Sequence, residues 1–589
     1  MENSTATQTS TEVEPLKGGA DKVEAGLAAS QDLKTTCREG FTFAKLSHWR
    51  TAIFFFSLFL CLTIVFAFSF VIPCPVRPQY LPTWNRTFYQ AATYDFLAIE
   101  DANKDKVMDV VFVLKEAVGS QNNTCAGEGL PSPCVVALAV AGTDGETLWE
   151  RRLAPELHWA QCGLGGEKQS AGWDCLLFHS DRLTALDKTS GAVVWQQPHP
   201  PGPNSTLPVL LLPDLDGDGV GEVALVCPGS PQTQVWILSG RTGEQLGAPV
   251  GVASTGHHLL HTTDEGAHYV LLQRETGLYG VALGRVARQA REGLEAGLKK
   301  DRRWESRADA ASDLVPVYTR GAVREVVRTG RPQEPSSLLL VAGGELVLLD
   351  GDKLQRLWGL NTSGVLRTPS FGHFDKDGVP DVVVEEDGGN GSRRLVVLSG
   401  ASGARLWGVR LLPGPQCPPP ASVLTLTSVS VFMFWGLLPP AGNRSVAPGD
   451  CRSYMLHPLH PSVLLETPNT METPNTMETP NVMETPNVME TPNTMETPNV
   501  METPNTMETP NVMETPNVME HILAFRATLL ERGRHACYFL LTEGGGGVML
   551  RKRKLKEDVV ISRVHHLSVT TETDDTVKQA FSRLRFSDE

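Results

Sequence analysis

The sequence predicts an all-β protein, a β-propeller of seven or eight blades that follows one N-terminal transmembrane helix. Three observations lead to this fold. Hairpins that end in a large apolar residue recur at intervals of 46 to 51 residues, three acidic turns each precede an apolar strand, and one long segment carries no charge. A unit of about 45 to 50 residues with four strands is the size of a propeller blade.

The repeated hairpins have one pattern: an apolar strand, a Gly-rich turn, and a strand that ends in a large side chain. We expect this side chain to fill the space between neighbouring blades. Two units would fit into the 112 residues between the third and fourth hairpins. The large residues that end the hairpins are Trp149, Trp195, Leu246, Trp358 and Trp407.

The uncharged segment runs from Ala52 to Ile72, which is 21 residues. At about 1.5 Å per residue, a helix of this length matches a hydrocarbon core of about 30 Å. It is too long, and too far from the first residue, for a cleaved signal peptide. We therefore expect an uncleaved signal anchor that contacts the lipid bilayer, preceded by a disordered cytoplasmic tail at 1–49.

Basic residues and sequons predict the orientation of this helix. Four basic residues precede it within 20 residues, against Arg77 and Arg86 after it, so the N-terminal side should be cytoplasmic. The C-terminal part of such a type II protein would be lumenal or extracellular, at the plasma membrane and cell surface or in the secretory pathway. Six Asn-x-Ser/Thr sequons follow the helix and are predicted glycosylation sites: Asn85, Asn122, Asn204, Asn361, Asn390 and Asn443.

Cysteine usage agrees with an oxidising compartment, because nine of the 11 cysteines follow the helix. Two short loops are each bracketed by a cysteine pair, which predicts one disulfide between Cys125 and Cys134 and another between Cys162 and Cys175. Cys417 and Cys451 flank a longer segment and are a weaker candidate pair.

The predicted propeller occupies residues 91–589, after a juxtamembrane stem at 73–90. Two segments interrupt its repeats. Residues 285–303 alternate Leu and Ala with charge and predict a short surface helix. Residues 466–519 hold nine copies of Glu-Thr-Pro-Asn-(Thr/Val)-Met. Because proline at every sixth position blocks helix and sheet, we expect a disordered loop there.

One acidic turn runs from Asp214 to Glu222 and precedes an apolar strand. It has aspartates at alternate positions, a glycine for the turn, and Glu222 at the ninth position. Calcium prefers such hard oxygen ligands. The acid at position nine, and a strand where an EF-hand has a helix, indicate a metal-pinned turn between two strands. The predicted ligands of a structural calcium are Asp214, Asp216, Asp218 and Glu222.

Two further turns repeat this pattern. The earlier one would use Asp101, Asn103, Asp105 and Asp109 as metal ligands. The later one would use Asp375, Asp377 and Asp381, but it has His373 at the first ligand position. The alternative interpretation of all three is a solvated acidic turn without an ion.

Four features give the chain a family resemblance. They are the segment Phe70–Pro75, the Asp-rich turns, the segment Gly266–Leu271 and the closing Phe581–Phe586. The chain resembles the integrin-alpha FG-GAP repeat-containing proteins, also called family with sequence similarity 234, and is most like member A. The resemblance implies a single-pass glycoprotein with an FG-GAP or quinoprotein-like propeller and no established catalytic role. The hexapeptide array departs from the family pattern.

Composition and motifs narrow the function. The net charge of −15, without a dominant basic face, argues against a nucleic-acid partner. The sequence has no Gly-x-Ser-x-Gly, His-Glu-x-x-His or phosphate-loop motif. We therefore predict that the protein is not an enzyme and that its propeller binds an unidentified protein or glycan ligand, with calcium stiffening the blade turns.

Two enzymatic alternatives remain open at this stage. A metal-dependent glycosyltransferase of the Golgi type shares the type II layout and could use Asp216 and Asp218 to hold a metal bound to a sugar nucleotide. Such an enzyme would carry one Asp motif in an α/β nucleotide-binding domain. A quinoprotein-like dehydrogenase has similar Trp-terminated turns, but the adjacent Cys-Cys pair typical of those alcohol dehydrogenases is absent from the sequence.

Overall fold

The computed structural model describes residues 43–71, 83–116, 125, 129–130, 133–153, 155–164, 172–200, 205–229, 232–329, 336–414, 417–439, 451–467, 521–530 and 536–587. The helices are α1 Phe43–Val71, α2 Leu283–Ala290, α3 Arg302–Glu305, α4 Leu555–Ile561 and α5 Asp574–Ser582.

The first sixteen strands are β1 Trp84–Tyr89, β2 Ala91–Glu100, β3 Asp109–Glu116, β4 Val135–Val140, β5 Thr147–Arg152, β6 Leu157–Gln161, β7 Cys175–His179, β8 Arg182–Leu186, β9 Val193–Pro198, β10 Thr206–Leu211, β11 Val223–Cys227, β12 Thr233–Leu238, β13 Val250–Val252, β14 His258–Thr262, β15 His268–Arg274 and β16 Gly277–Ala282. The remaining strands are β17 Val315–Tyr318, β18 Val323–Arg328, β19 Leu338–Ala342, β20 Glu345–Leu349, β21 Arg356–Asn361, β22 Ser370–Gly372, β23 Asp381–Gly389, β24 Ser392–Leu398, β25 Arg405–Leu411, β26 Ala421–Leu424, β27 Ser430–Gly436, β28 Arg452–Leu456, β29 Val463–Glu466, β30 His521–Leu529, β31 Ala536–Gly544, β32 Gly547–Lys554 and β33 Arg563–His566.

The chain divides into two compact units, Met1–Arg77 and Pro78–Glu589. In the first unit, α1 contains the window Trp49–Phe66, which is long and apolar enough to cross a membrane and has none of its residues buried. This fits a single transmembrane helix. The predicted tail is wrong at its end, because α1 begins at Phe43. Residues 43–51 contain neither Gly nor Pro, so nothing in them ends the helix before the apolar segment. Residues 1–42 lie outside the described part of the chain.

The second unit is an all-β propeller of eight blades, which decides between the predicted seven and eight. Each blade is an antiparallel sheet whose strands follow one another in the chain, except where the ring closes. The blades are β2–β5, β6–β9, β10–β13, β14–β17, β18–β21, β22–β25, β26–β29 with β33 as a fifth strand, and β30–β32 with β1.

The two ends of the propeller chain meet in the eighth blade. There β1 pairs with β32 from Trp84 opposite Lys552 to Tyr89 opposite Gly547. The predicted stem at 73–90 is therefore wrong for residues 84–89, and the propeller does not begin at residue 91. The physical reason is that β32 would otherwise expose an unpaired edge, and β1 covers it while burying Trp84.

The C-terminal segment folds back onto the seventh blade. After β32 the chain forms α4, adds β33 to β29 as a fifth strand, and continues through α5. Phe581 and Phe586 are buried there in a cluster that also contains Val431 and Leu465. The closing Phe581–Phe586 motif is thus part of the core between the last two blades.

The tryptophans that end the hairpins join their own blade to the next one, as the sequence predicts. Trp149 Nε1 of the first blade donates to Lys188 O of the second at 2.7 Å, and Trp358 of the fifth donates to Gly400 O of the sixth at 2.7 Å. Each ring lies over a glycine of the turn that it contacts. A Cβ at Gly191, for example, would lie 2.4 Å from the Trp149 ring, so only glycine fits under it.

The insertion between β16 and β17 differs from its prediction. It contains two short helices, α2 and α3, rather than one helix over 285–303. The chain between them holds Gly293 with φ of +95°, a conformation that interrupts a helix. The second helix buries Trp304 completely, and Trp304 Nε1 donates to Asp352 O of the fifth blade at 3.0 Å. Trp304 thus takes the place of the missing tryptophan in the fourth blade.

Because the strands alternate in direction, the propeller has two distinct ends. We call one the turn end: it carries the loops between first and second strands and the turns between third and fourth strands. The other, the connector end, carries the hairpins between second and third strands and the links between blades. Hydrogen bonds agree with this assignment of loops to the two ends. At the turn end Gly142 N donates to Asp109, and at the connector end Ser180 N donates to Glu156 O.

The hexapeptide array at 466–519 lies outside the described residues, apart from Glu466 and Thr467. The strands on either side of it are β29, the fourth strand of the seventh blade, and β30, the first strand of the eighth. The array is therefore part of a link between two blades, and both of its flanking strands meet it at the connector end.

Candidate metal loops at the turn end

The three acidic loops have equivalent places in three blades. They join β2 to β3 in the first blade, β10 to β11 in the third and β22 to β23 in the sixth. All three therefore lie at the turn end. The apolar strand that follows each loop is the second strand of its blade and is buried over at least its first five residues, which holds the ninth loop residue in place.

In the second loop, four carboxylates converge. Ligand oxygens of Asp214, Asp216, Asp218 and Glu222 all lie within 4.8 Å of one another. Backbone amides hold the side chains, since Gly217 N and Gly219 N donate to the two oxygens of Asp214 at 2.7 and 2.9 Å. Val220 N donates to Asp218 Oδ1 at 2.8 Å.

Glu222 is fully buried at the bottom of this cluster. Its Oε2 accepts from Leu215 N at 2.6 Å, whereas its Oε1 has no hydrogen-bond partner. Burial, with smaller contributions from Asp216 and Asp214, raises the pKa of Glu222 to about 7. Arg241 Nε contacts Asp218 Oδ2 at 3.0 Å and balances one charge of the four.

The first loop satisfies its ninth residue differently. Asp109 is fully buried, and its two oxygens accept from Ala102 N and Gly142 N, both at 2.9 Å. Burial raises the pKa of Asp109 to about 6 although these two bonds oppose the shift. Among the described residues, this loop forms no group of three acids as tight as that of the second loop. One buried oxygen of Asp101 has no hydrogen-bond partner.

The third loop combines features of the other two. Asp375, Asp377 and Asp381 converge within 4.8 Å, yet both oxygens of the buried Asp381 are bonded, to Phe374 N at 2.6 Å and Gly400 N at 2.9 Å. Burial raises the pKa of Asp381. His373, at the first position, joins the sixth blade to the seventh through its backbone, because His373 N donates to Ser430 Oγ at 3.0 Å.

The ninth residue thus has a role that the sequence prediction did not include. In the first and third loops it ties the acidic loop to the turn between the third and fourth strands of the same blade. A glycine is required at that turn, since a Cβ at Gly142 would lie 1.9 Å from Met108 O and a Cβ at Gly400 would lie 2.0 Å from Pro380 O. The repeated Gly at this turn was the available sequence signal.

The disulfides and the sequons complete the set of predicted sites. Disulfides link Cys125 to Cys134 and Cys162 to Cys175, as predicted, and a third links the weaker candidate pair Cys417 and Cys451. Among the sequons, the three that fall within the described residues are exposed: Asn85, Asn361 and Asn390. The other three lie outside the described residues: Asn122, Asn204 and Asn443.

Two free thiols and one His–Ser pair in the described residues are poorly placed for catalysis. The thiols of Cys227 and Cys537 are buried, and burial raises the pKa of each to about 11, so they remain protonated and inert. His199 Nε2 lies 3.0 Å from Ser205 Oγ, but Ser205 is buried and the other ring nitrogen of His199 contacts the Pro200 carbonyl instead of a carboxylate.

One known protein family matches most of the second unit. The description "FAM234A/B beta-propeller" matches residues 84–478 and 500–587, from the first residue of β1 to the end of the C-terminal segment. The chain belongs to the FAM234A/B β-propeller family. The match confirms the predicted family and agrees with β1 as part of the propeller.

Relatives in the FAM234 family cover nearly the whole chain. Protein FAM234A of Bos taurus is 36% identical over 600 residues, which is 98% of each chain, and Protein FAM234A of Homo sapiens is 32% identical over 98% of each chain. Protein FAM234B of Gallus gallus is 30% identical over 72% of this chain and 71% of its own length.

Solved structures resemble this FAM234 chain only distantly. The WD40 domain of SCAP from fission yeast is 11% identical with a TM-score of 0.40, covering 79% of this chain and 98% of its own. BamB from Moraxella catarrhalis is 10% identical with a TM-score of 0.35, covering 80% of this chain and 98% of its own. Similarity at this level carries no argument about function.

Proposed function

We propose that this protein is a single-pass type II membrane glycoprotein whose propeller lies on the lumenal or extracellular side. The propeller binds a protein or glycan ligand without catalysing a reaction, and a calcium ion in the second acidic loop stiffens the blade turns. The observation that carries the proposal is the Glu222 Oε1 atom, which is buried without a hydrogen-bond donor beside three converging aspartates.

The surroundings of Glu222 favour an ion over a solvated turn. A buried carboxylate oxygen without a donor costs about 1–3 kcal/mol or more, and the like charges of the aspartates add to this cost. A cation removes both penalties at once. Calcium fits because it accepts six to eight oxygen ligands, from carboxylates, carbonyls and water.

The first and third loops have a weaker claim to calcium. Backbone amides already bind both oxygens of Asp109 and of Asp381. These two loops are therefore held to their blades without an ion. Asn103, Asp105, Asp375 and Asp377 would add only exposed ligands, and Asp101 would add one buried oxygen. We propose that the second loop fills first and binds most tightly.

A non-catalytic role is supported by how the polar groups of the ring are used. The indole N–H groups of Trp149 and Trp358 and the ninth-position aspartates bond to backbone groups of turns, so they stabilise the blades. The described residues of the second unit form a propeller and contain no α/β nucleotide-binding domain of the kind expected for the glycosyltransferase alternative.

Membrane orientation is the first property to test. We expect an epitope tag after Glu589 to be accessible on intact cells, or protected inside intact vesicles if the protein stays internal, and a tag before Met1 to be cytoplasmic. Treatment with an N-glycan-removing amidase should increase the gel mobility of the protein. A cytoplasmic C-terminal tag on a chain without glycans would contradict the proposal.

A further inference from the structure

Sequons are unevenly distributed over the propeller. Asn390 lies in the hairpin between β23 and β24, and Asn361 ends β21, so both are at the connector end, and both are exposed. In chain order, Asn122, Asn204 and Asn443 fall between β3 and β4, β9 and β10, and β27 and β28. The strands on both sides of these three segments terminate at the connector end. Two described sequons therefore lie at the connector end, and three more belong in chain order to segments whose flanking strands terminate there.

The remaining sequon, Asn85, and the loops of the turn end complete the distribution of sequons over the propeller. Asn85 is the exposed second residue of β1, the outer strand of the eighth blade, and β1 begins at the turn end, where Trp84 Nε1 donates to Gly142 O. This sequon therefore lies at the outer rim of the ring, near the turn end. No sequon of the sequence falls in a loop between first and second strands or in a turn between third and fourth strands. The loops and turns of the turn end thus carry no predicted glycan, and Asn85 at the outer rim is the sequon nearest to them.

Charge distinguishes the two ends as well. In the described short loops and turns of the turn end, carboxylates outnumber lysines and arginines. Glu146 and Asp264 lie there, exposed and outside the acidic loops, and form no salt bridge among the described residues. The connector end carries both signs close together, as in Asp181 next to Arg182.

We infer that the turn end is the face on which this protein docks a protein partner, and that the partner's contact surface is rich in lysine and arginine. The inference rests on the proposed function, because the sequons carry glycans only if the propeller is lumenal or extracellular. Bulky, hydrated glycans oppose the close packing of a protein on the connector end. Unpaired carboxylates at the turn end favour a basic partner by electrostatic complementarity.

Site-specific photo-crosslinking of the full-length protein on living cells tests this inference. A photoreactive amino acid replaces one exposed residue at a time, and covalent adducts are detected as a mass increase of the tagged protein. Ala310 in the blade-four insertion and Leu426 between β26 and β27 report on the turn end. Ala253, between β13 and β14, is a matched exposed alanine at the connector end. Normal glycan maturation shows that each variant folds.

We expect adducts from position 310 or 426 and none from 253. On washed cells, raising the ionic strength should lower the adduct yield at least about twofold, because exposed charges are screened over about 10 Å at 0.1 M salt. Adducts from 253 alone would overturn the choice of face and leave the proposed function standing. Yields that do not change with salt would overturn the basic partner. A glycosylated protein without adducts at any position would contradict the proposed binding function itself.

Discussion

Asp109, Asp381 and Glu222 occupy the same position in three equivalent loops, yet their carboxylates have different surroundings. Both oxygens of the two aspartates accept hydrogen bonds from backbone amides, while one oxygen of the glutamate accepts none. The additional methylene of Glu222 changes the reach of the side chain from its strand. At the scale of residues, this difference separates loops whose ninth-position acid is fully hydrogen-bonded from a loop whose ninth-position acid has an oxygen available to an ion.

The raised pKa of Glu222 predicts how the metal-free protein responds to pH. Its folded pKa, about 7, exceeds the ordinary value of 4.5, so the folded state binds a proton that the unfolded state releases. This stabilisation is complete below about pH 4.5 and is lost as pH rises through 7. With a chelator present, we expect the Tm of the wild type to fall across this window, by the equivalent of about 3 kcal/mol.

The control for this prediction is Glu222→Gln, which keeps the shape of the side chain but has no titrating group. Asp109 and Asp381 also have raised pKa values and contribute a fall of the same sign in both proteins. The difference between wild type and variant therefore isolates Glu222. Equal slopes of Tm against pH in the two proteins would show that Glu222 is not the group responsible.

Glycine at the inter-blade turns gives a second prediction. Gly191 has φ of +63°, and a Cβ there would lie 2.4 Å from the Trp149 ring. Gly545 has nearly the same φ, +61°, but open space around its Cβ position. We expect Gly191→Ala to lower the free energy of unfolding more than Gly545→Ala does, by about 1–3 kcal/mol, because only the former is also overpacked. Equal losses in urea unfolding would mean that Trp149 does not hold the turn.

At the scale of elements, β1 closes the ring and brings the two ends of the propeller chain together. Trp84, its first residue, is buried, packs on Phe539 with ring centroids 6.1 Å apart, and donates from Nε1 to Gly142 O at 3.2 Å. It therefore makes the contact to the first blade that Trp149 makes to the second. The sequence predicts a stem at this strand because a lone strand carries no repeat signal. Its pairing partner β32 lies at the far end of the sequence, so no nearby strand indicates a sheet.

Closure by β1 can be tested at its two ends. We expect Trp84→Ala to lower the free energy of unfolding by about 3–5 kcal/mol, as is usual for a buried tryptophan. Tyr89→Ala, at the other end of the same strand, removes a side chain that is 79% exposed and should change stability by less than about 0.5 kcal/mol. Similar effects of the two substitutions on thermal unfolding would contradict the role of β1.

The insertion in the fourth blade shows where prediction of elements failed. Its mix of Leu, Ala and charge indicated one helix, whereas Gly293 and Gly297 separate two. The inter-blade role of Trp304 was also missed. Trp304 stacks on His261 at 5.3 Å and contacts the fifth blade from within a helix, so it lies outside the hairpin pattern that revealed the other tryptophans. Helix ends set by tertiary packing leave a weak signal in one sequence.

At the scale of the whole molecule, repetition is what made the fold predictable. The recurring Gly-rich turn and the large residue that follows it fixed the blade length, and the structure resolves the predicted seven or eight blades as eight. The acidic loops were found for the same reason, as three copies of one pattern. The repeats do not reveal which oxygen of each ninth-position acid accepts a hydrogen bond from a backbone amide. That depends on how far the side chain extends within the folded blade.

The account as a whole depends on the cation in the second loop. The most direct test is calorimetric titration of calcium into chelator-treated full-length protein, with Glu222→Gln and Asp381→Asn compared with the wild type. We predict that the tightest site is lost in Glu222→Gln and kept in Asp381→Asn, because Glu222 has an unbonded buried oxygen whereas both oxygens of Asp381 accept backbone hydrogen bonds. Equal calcium binding by wild type and Glu222→Gln, or no binding by the wild type, would contradict the account.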